Sequence, residues 1–185
     1  MSAPAKETIT ITLDGRPVRA TAGAYALDVA RAAGVEIPTL CHHPDLEPVG
    51  ACRLCMVEVT HPDWRGWSGL MTACLYPVSE GMQISTRSER VLEARRRLLA
   101  LLAARCPGSE VIQELAQEHG ASTDRLASDP EADSCILCGL CTRTCETFAT
   151  AAITTHGRGT DKAVGTFFGQ PPEDCVGCGA CAMIC

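Results

Sequence analysis

The chain has 185 residues, a formal net charge of −6 and 4% aromatic residues, enough length for one ordinary domain or two small ones but little bulk for a large core. Thirteen cysteines and no N-terminal apolar run or cleavage signal point to a reducing, cytoplasmic setting and to metal ligation, and the odd count argues against a closed disulfide framework. The acidic balance argues against nucleic acid as a ligand, and no stretch approaches the roughly eighteen apolar residues of a membrane span, so no direct membrane insertion is expected.

In chain order, "TITITLDGRPVRATA" (8–22) alternates threonine with isoleucine, pauses at Asp14-Gly15 and resumes, which predicts a β-hairpin. "ALDVARAAG" (26–34) has apolar positions three and four apart and a closing glycine, which predicts a short helix, and Pro38 then forces an extended loop up to Cys41. "CMVEVT" (55–60) and "MQIST" (82–86) are strand candidates, so a small mixed sheet gripping one helix is expected. Thr86-Arg87-Ser88-Glu89 matches a capping box, after which Val91, Leu92, Leu98, Leu99 and Leu102 recur with helical spacing up to Pro107-Gly108. Arg87, Arg90, Arg95, Arg96, Arg97 and Arg105 make this segment basic. Arg90, Glu93, Arg96 and Arg97 are expected opposite the leucine stripe, as a solvated face or a partner-docking face. Ser109 is placed to cap a second helix with Val111, Ile112 and Leu115 inward and Gly120 as its stop. Residues 121–134 are small, polar and proline-interrupted and read as a connector.

The remaining cysteines are grouped. "CILCGLCTRTC" (135–145) and "CVGCGACAMIC" (175–185) are each C-x2-C-x2-C-x3-C. Three cysteines at intervals of three wrap one corner of a cubane through a tight loop, while the fourth reaches the other cluster. The pairing is therefore crossed: Cys135, Cys138, Cys141 and Cys185 for one [4Fe-4S] cluster, and Cys145, Cys175, Cys178 and Cys181 for the second. Gly139, Gly177 and Gly179 suit a close backbone approach, with amide N–H groups donating to the sulfurs. Zinc sites use two C-x2-C pairs and four thiolates, and the third cysteine in each copy goes against that reading. Upstream, Cys41, Cys52, Cys55 and Cys74 form C-x10-C-x2-C-x18-C. Its last two intervals suit a [2Fe-2S] cluster, although the first is longer than the x4 of plant-type ferredoxins. His42 and His43 adjoin Cys41, but four cysteines already complete that site. "HGRGTDKAVG" (156–165) has neither the spacing of a dinucleotide fingerprint nor, on this reading, a preceding strand.

"GVEIPTLCHHPDLEPVGACRLCMVEV" and "TACLYPVSEGMQI", a basic helix and the doubled C-x2-C-x2-C-x3-C module together resemble the small iron-sulfur (diaphorase) subunit of NAD-linked hydrogenases. The same layout is similar to the N-terminal region of the large iron-sulfur subunit of complex I and to the electron-transfer regions of NAD-linked formate dehydrogenases and iron-only hydrogenases. The resemblance implies an α+β chain: a β-grasp [2Fe-2S] ferredoxin-like domain over 1–86, a short two-helix region over 87–128 and a bacterial 2[4Fe-4S] ferredoxin-like domain over 129–185. It implies one [2Fe-2S] and two [4Fe-4S] clusters that relay electrons between a flavin-containing NAD(P)H subunit and a catalytic subunit of hydrogenase or dehydrogenase type, within a hetero-oligomer. No active site is expected on this chain alone. In most of that family the two middle helices carry H-x3-C-x2-C-x5-C for an additional cluster. Here Cys106 takes roughly the place of the histidine and the three cysteines are absent, which implies a lost site and a buried thiol without a metal. The chain stops at Cys185, whereas bacterial ferredoxin motifs commonly continue, so a further tail or a covering partner is expected. The competing readings are a free-standing multi-cluster ferredoxin and a zinc-binding adaptor.

Overall fold

The computed structural model describes residues 7–127, 134–170 and 172–185. The chain forms two compact units, one from Met1–Thr39 and Arg53–Ser134, the other from Leu40–Cys52 and Cys135–Cys185.

The first unit is built on a five-stranded mixed sheet. Strands β1 (Thr8–Leu13) and β2 (Arg16–Thr21) form the expected hairpin. The two-residue alternation of β1 sends Ile9, Ile11 and Leu13 into the core and the threonines outward. The turn has φ of 47° at Asp14 and 80° at Gly15. Both residues are left-handed, as a primed turn needs, and an Asp-Gly pair supplies this at little steric cost. Helix α1 (Ala26–Ala32) follows, burying Ala26, Leu27, Val29 and Ala30. Then come β3 (Met56–Thr60), β4 (Ser68–Thr72) and β5 (Gln83–Ser85), in the sheet order β2-β1-β5-β3-β4. β5 runs parallel to β1 and antiparallel to β3, and β4 pairs antiparallel with β3. Leu27, Val29 and Ala30 of α1 share one core with Ile9, Ile11, Val57, Val59 and Ile84 of the sheet, so the sheet does grip a single helix. Strand β4 was not expected from the sequence.

Helices α2 (Glu89–Arg105) and α3 (Glu110–Glu118) belong to the same unit. Ser88, not Thr86, caps α2: its hydroxyl accepts from the Val91 N–H at 3.3 Å. Thr86 is taken by Asp14, which accepts from its N–H at 2.7 Å and from its hydroxyl at 2.6 Å, tying the hairpin turn to the chain that enters α2. Val91 and Leu99 are fully buried, but Leu92, Leu98 and Leu102 are only half-buried, and the inward face is completed by Arg95, Ala100, Ala103 and Ala104. On α3 Ile112 and Ala116 point inward, while Val111, expected inside, is 60% exposed. Gly120 ends the helix with a φ of 64°. The basic face of α2 is largely matched by the chain's own carboxylates: Arg90 meets Glu58 at 2.7 Å, Arg96 meets Glu89 at 2.7 Å and Arg97 meets Glu93 at 2.7 Å. Exposed pairs of this kind add little stability each, but they leave α2 far less cationic than its arginines suggest.

In the second unit, α4 (Leu140–Phe148) and α5 (Ala180–Met183) pack together, and β6 (Thr154–His156) pairs antiparallel with β7 (Ala163–Gly165). A strand therefore does precede the glycine-bearing 157–159 segment, contrary to the sequence reading, but it returns as a hairpin rather than opening a helix. Part of the connector, residues 128–133, lies outside the described residues. Among the described residues no helix is long and apolar enough to cross a membrane.

Candidate metal centres

The two terminal motifs fold their backbones alike. Leu137 and Gly177, at equivalent places, have φ of 54° and 65°, and Gly139 and Gly179, which lead into α4 and α5, have 72° and 74°. Left-handed residues at alternate positions curl the loop so that successive N–H groups face its inside, a concavity that receives anionic groups. Leu137 holds this conformation without glycine's freedom, against a cost of about 1 kcal/mol.

The structure brings Cys185 to the first motif. Burial pushes the Cys138 and Cys141 thiols up, and the further causes acting in that direction are the charges of Cys185 and Cys135, joined at Cys141 by that of Cys138. At Cys138 and Cys141 a cationic cluster would relieve this, because metal binding requires and stabilises the thiolates. Backbone N–H groups of Leu140 and Thr142 work the other way, favouring thiolate at Cys138 and Cys141 respectively.

Cys145, the last cysteine of the first motif, is buried on α4. Burial alone would raise its thiol, yet the backbone N–H groups of Ile153, Ala152, Thr150 and Ala151 outweigh that and hold it below its ordinary range. A buried sulfur surrounded by amide donors suits a thiolate ligand with its supporting hydrogen bonds already in place. Cys175, Cys178 and Cys185 are exposed and Cys181 partly so. The packing of α5 on α4 joins the second motif to the helix that carries Cys145.

The upstream cysteines are seen as two pairs. Cys41 and Cys52 lie together: the Cys52 N–H points at the Cys41 sulfur at 3.4 Å. The Cys52 thiol, hydrogen-bonded to it, and then burial push Cys41 far above its ordinary range, against the pull of the Cys52 and Ala51 N–H groups. Two sulfurs this close ionise together only around a cation. Cys55 and Cys74 are both buried, and the hydrogen bond from the Ala73 N–H to the Cys55 carbonyl, 3.1 Å, holds their segments side by side. Backbone N–H groups reach the sulfurs of Cys41, Cys138, Cys141 and Cys145, surroundings of the kind iron–sulfur clusters use. Among the described residues no three His, Cys, Asp or Glu side chains converge as around a single ion. A cluster spreads its ligands over several irons. His43 serves its own turn, accepting from the Asp45 N–H at 3.3 Å.

Cys106 caps the end of α2, its N–H bonded to the Leu102 carbonyl at 2.8 Å, and it is fully buried. The Gln113 side chain donates to the carbonyls of Ala103 and Pro107 at 3.2 and 3.3 Å, so this corner is closed by protein hydrogen bonds. Cys106→Ala is expected to leave the iron content unchanged and to cost about 1 kcal/mol, the typical loss for one small buried group. Denaturant unfolding and iron analysis check both halves of that expectation.

Two arginines at these sites escaped sequence reasoning. Arg143, between Cys141 and Cys145, donates to the Cys41 carbonyl and, at 2.7 Å, to the Glu47 carbonyl. It thereby fastens the 41–47 loop to α4. Arg95 donates to carbonyls on either side of Cys55. Its position inside a cysteine motif could have marked Arg143, whereas nothing near Arg95 in the chain marks it.

Residues 6–89 match the family described as 2Fe-2S iron-sulfur cluster binding domain, and residues 134–185 match the 4Fe-4S dicluster domain. The chain is 32% identical to the NADPH-Fe(3+) oxidoreductase subunit alpha of Geobacter sulfurreducens over 96% of its own length and 23% of that protein. It is 31% identical to the NADP-reducing hydrogenase subunit HndD of Solidesulfovibrio fructosivorans, over 96% of this chain and 35% of that protein. The chain thus spans only about a quarter to a third of these relatives. A crystal structure of NAD+-reducing [NiFe]-hydrogenase in the H2-reduced state contains a similar chain, with a TM-score of 0.73 and 31% identity over 85% of this chain and 74% of that one.

Proposed function

The chain belongs to the family of iron–sulfur subunits of NAD(P)-linked hydrogenases and complex I-type oxidoreductases, and from that membership we propose that it relays electrons between a flavin-containing NAD(P)H subunit and a catalytic subunit of hydrogenase or dehydrogenase type in a cytoplasmic hetero-oligomer. The domain limits 1–86, 87–128 and 129–185 are part of the same proposal. Cys41, Cys52, Cys55 and Cys74 would hold a [2Fe-2S] cluster, Cys135, Cys138, Cys141 and Cys185 one [4Fe-4S] cluster, and Cys145, Cys175, Cys178 and Cys181 the other. When bound, such clusters supply one-electron transfer without bond making or breaking. The protein's own part is to keep the thiolates ionised, aim amide N–H groups at them and exclude water from their buried side. What supports this reading is that Cys185 lies near enough for its charge to act on Cys138 and Cys141, as the crossed arrangement of the doubled motif requires.

Anaerobic iron and sulfide analysis of the purified chain tests it. About ten irons per chain are expected, two for the first site and four for each of the others. About fourteen would mean that the middle helices hold a further cluster, and a colourless zinc-bearing protein would overturn the redox reading altogether. Co-purification with a flavoprotein subunit supports the relay over a free-standing ferredoxin.

A further inference from the structure

On α2 the positions four apart, Val91, Arg95, Leu99 and Ala103, are 0%, 4%, 0% and 3% exposed. Three of them are apolar, as the inner stripe of a helix should be, and one is an arginine. A buried guanidinium is costly unless its donors are met. Here the Arg95 Nε donates to the Leu54 carbonyl at 3.2 Å and one terminal nitrogen to the Met56 carbonyl at 3.0 Å. Those carbonyls flank Cys55. Both acceptors are neutral, so the positive charge is bonded but not cancelled, and arginine remains protonated even where burial lowers it. The other charges acting on it are the Cys55 thiolate, Arg87 and Asp14. A leucine at position 95 would complete the apolar stripe, so packing alone does not account for the residue.

We propose that Arg95 is a positioning and tuning residue of the [2Fe-2S] centre: it fixes the backbone on both sides of Cys55 and places a permanent buried positive charge against that ligand, raising the centre's reduction potential. The inference rests on the assignment of Cys55 as a cluster ligand. Reduction of the centre brings in one electron from the reductant and adds one negative charge, with no bond formed or broken. A fixed cation nearby stabilises that added charge, and its burial weakens screening by water and salt. The effect is therefore on the equilibrium between the two redox states, not on the presence of the cluster.

The test is a reductive titration of the whole purified chain, followed by electron paramagnetic resonance, for the wild type, Arg95→Met and Arg95→Lys. Arg95→Met is expected to make reduction of the [2Fe-2S] centre at least tenfold less favourable, which is 59 mV for a one-electron couple, while both [4Fe-4S] centres keep their potentials. Arg95→Lys retains the charge and is expected to hold the potential near that of the wild type. An unchanged potential in Arg95→Met, or equal shifts in the Met and Lys variants, overturns the proposal. If Arg95→Met fails to retain the cluster, Arg95→Gln, neutral but still able to donate to a carbonyl, is held to the same criterion. Cys55→Ser separates the two readings: a [2Fe-2S] signal that survives it sinks the ligand assignment, whereas its loss alongside an unmoved Arg95→Met potential sinks the role of Arg95 alone.

Discussion

Cys185→Ser is expected to remove the cluster of the first motif, not that of the motif in which Cys185 lies. The variant should lose about four irons and one [4Fe-4S] signal, and the signal lost should be the one lost in Cys138→Ser. Cys145→Ser should instead reproduce Cys178→Ser. The reasoning is local: Cys185 acts on Cys138 and Cys141 through space, although forty-four and more positions separate them in the chain. An uncrossed arrangement makes the opposite statement, with Cys185→Ser matching Cys178→Ser. Iron analysis and electron paramagnetic resonance of the four variants decide between them. The size of the effect follows from ligand chemistry, since a serine oxygen is a harder donor than the soft thiolate these clusters select.

The parts of this molecule that were legible in the sequence are those where a short-range rule operates. The β1–β2 hairpin was readable because alternation and an Asp-Gly turn are both local signals. The repeated motif was readable because its spacing matches the corners of a cubane. Strand β4 was not. Its short run carries a glycine, and Gly69 lies under the Trp67 ring, where a Cβ would stand 2.5 Å from a ring carbon, so the glycine records a close approach within a strand. Thr86 was misread as a cap because its real partner, Asp14, is seventy-two positions away. Arg95 failed for the same reason. A charged residue on an amphipathic helix is ordinarily assigned to the solvent side, and only the carbonyls of Leu54 and Met56, distant in sequence, make its burial tolerable. Local periodicity cannot report a partner brought in by tertiary structure.

That distinction between local and long-range information also shapes the expected result for Cys74→Ser, which should abolish the [2Fe-2S] signal and about two irons while leaving both [4Fe-4S] signals in place. Cys74 is 2% exposed and sits in a segment with two structural duties. The Ala73 N–H bonds the Cys55 carbonyl at 3.1 Å, while the Ala73 carbonyl accepts from the Leu27 N–H at 3.0 Å at the start of α1. The segment therefore ties the approach to β3 to the first turn of α1. Losing a metal ligand here also removes a constraint on the fold, because binding free energy at such a site is in part folding free energy. The sheet unit is accordingly expected to unfold at lower denaturant concentration than in the wild type. The cysteines of the terminal motifs form ligand sets that share no residue with Cys41, Cys52, Cys55 and Cys74, and that separation of ligands is the reason their signals should persist. Spectra of the variant beside its denaturant profile test both statements. Loss of all three signals together would show instead that the clusters assemble as one cooperative set, and would sink the view that the ligand sets load separately.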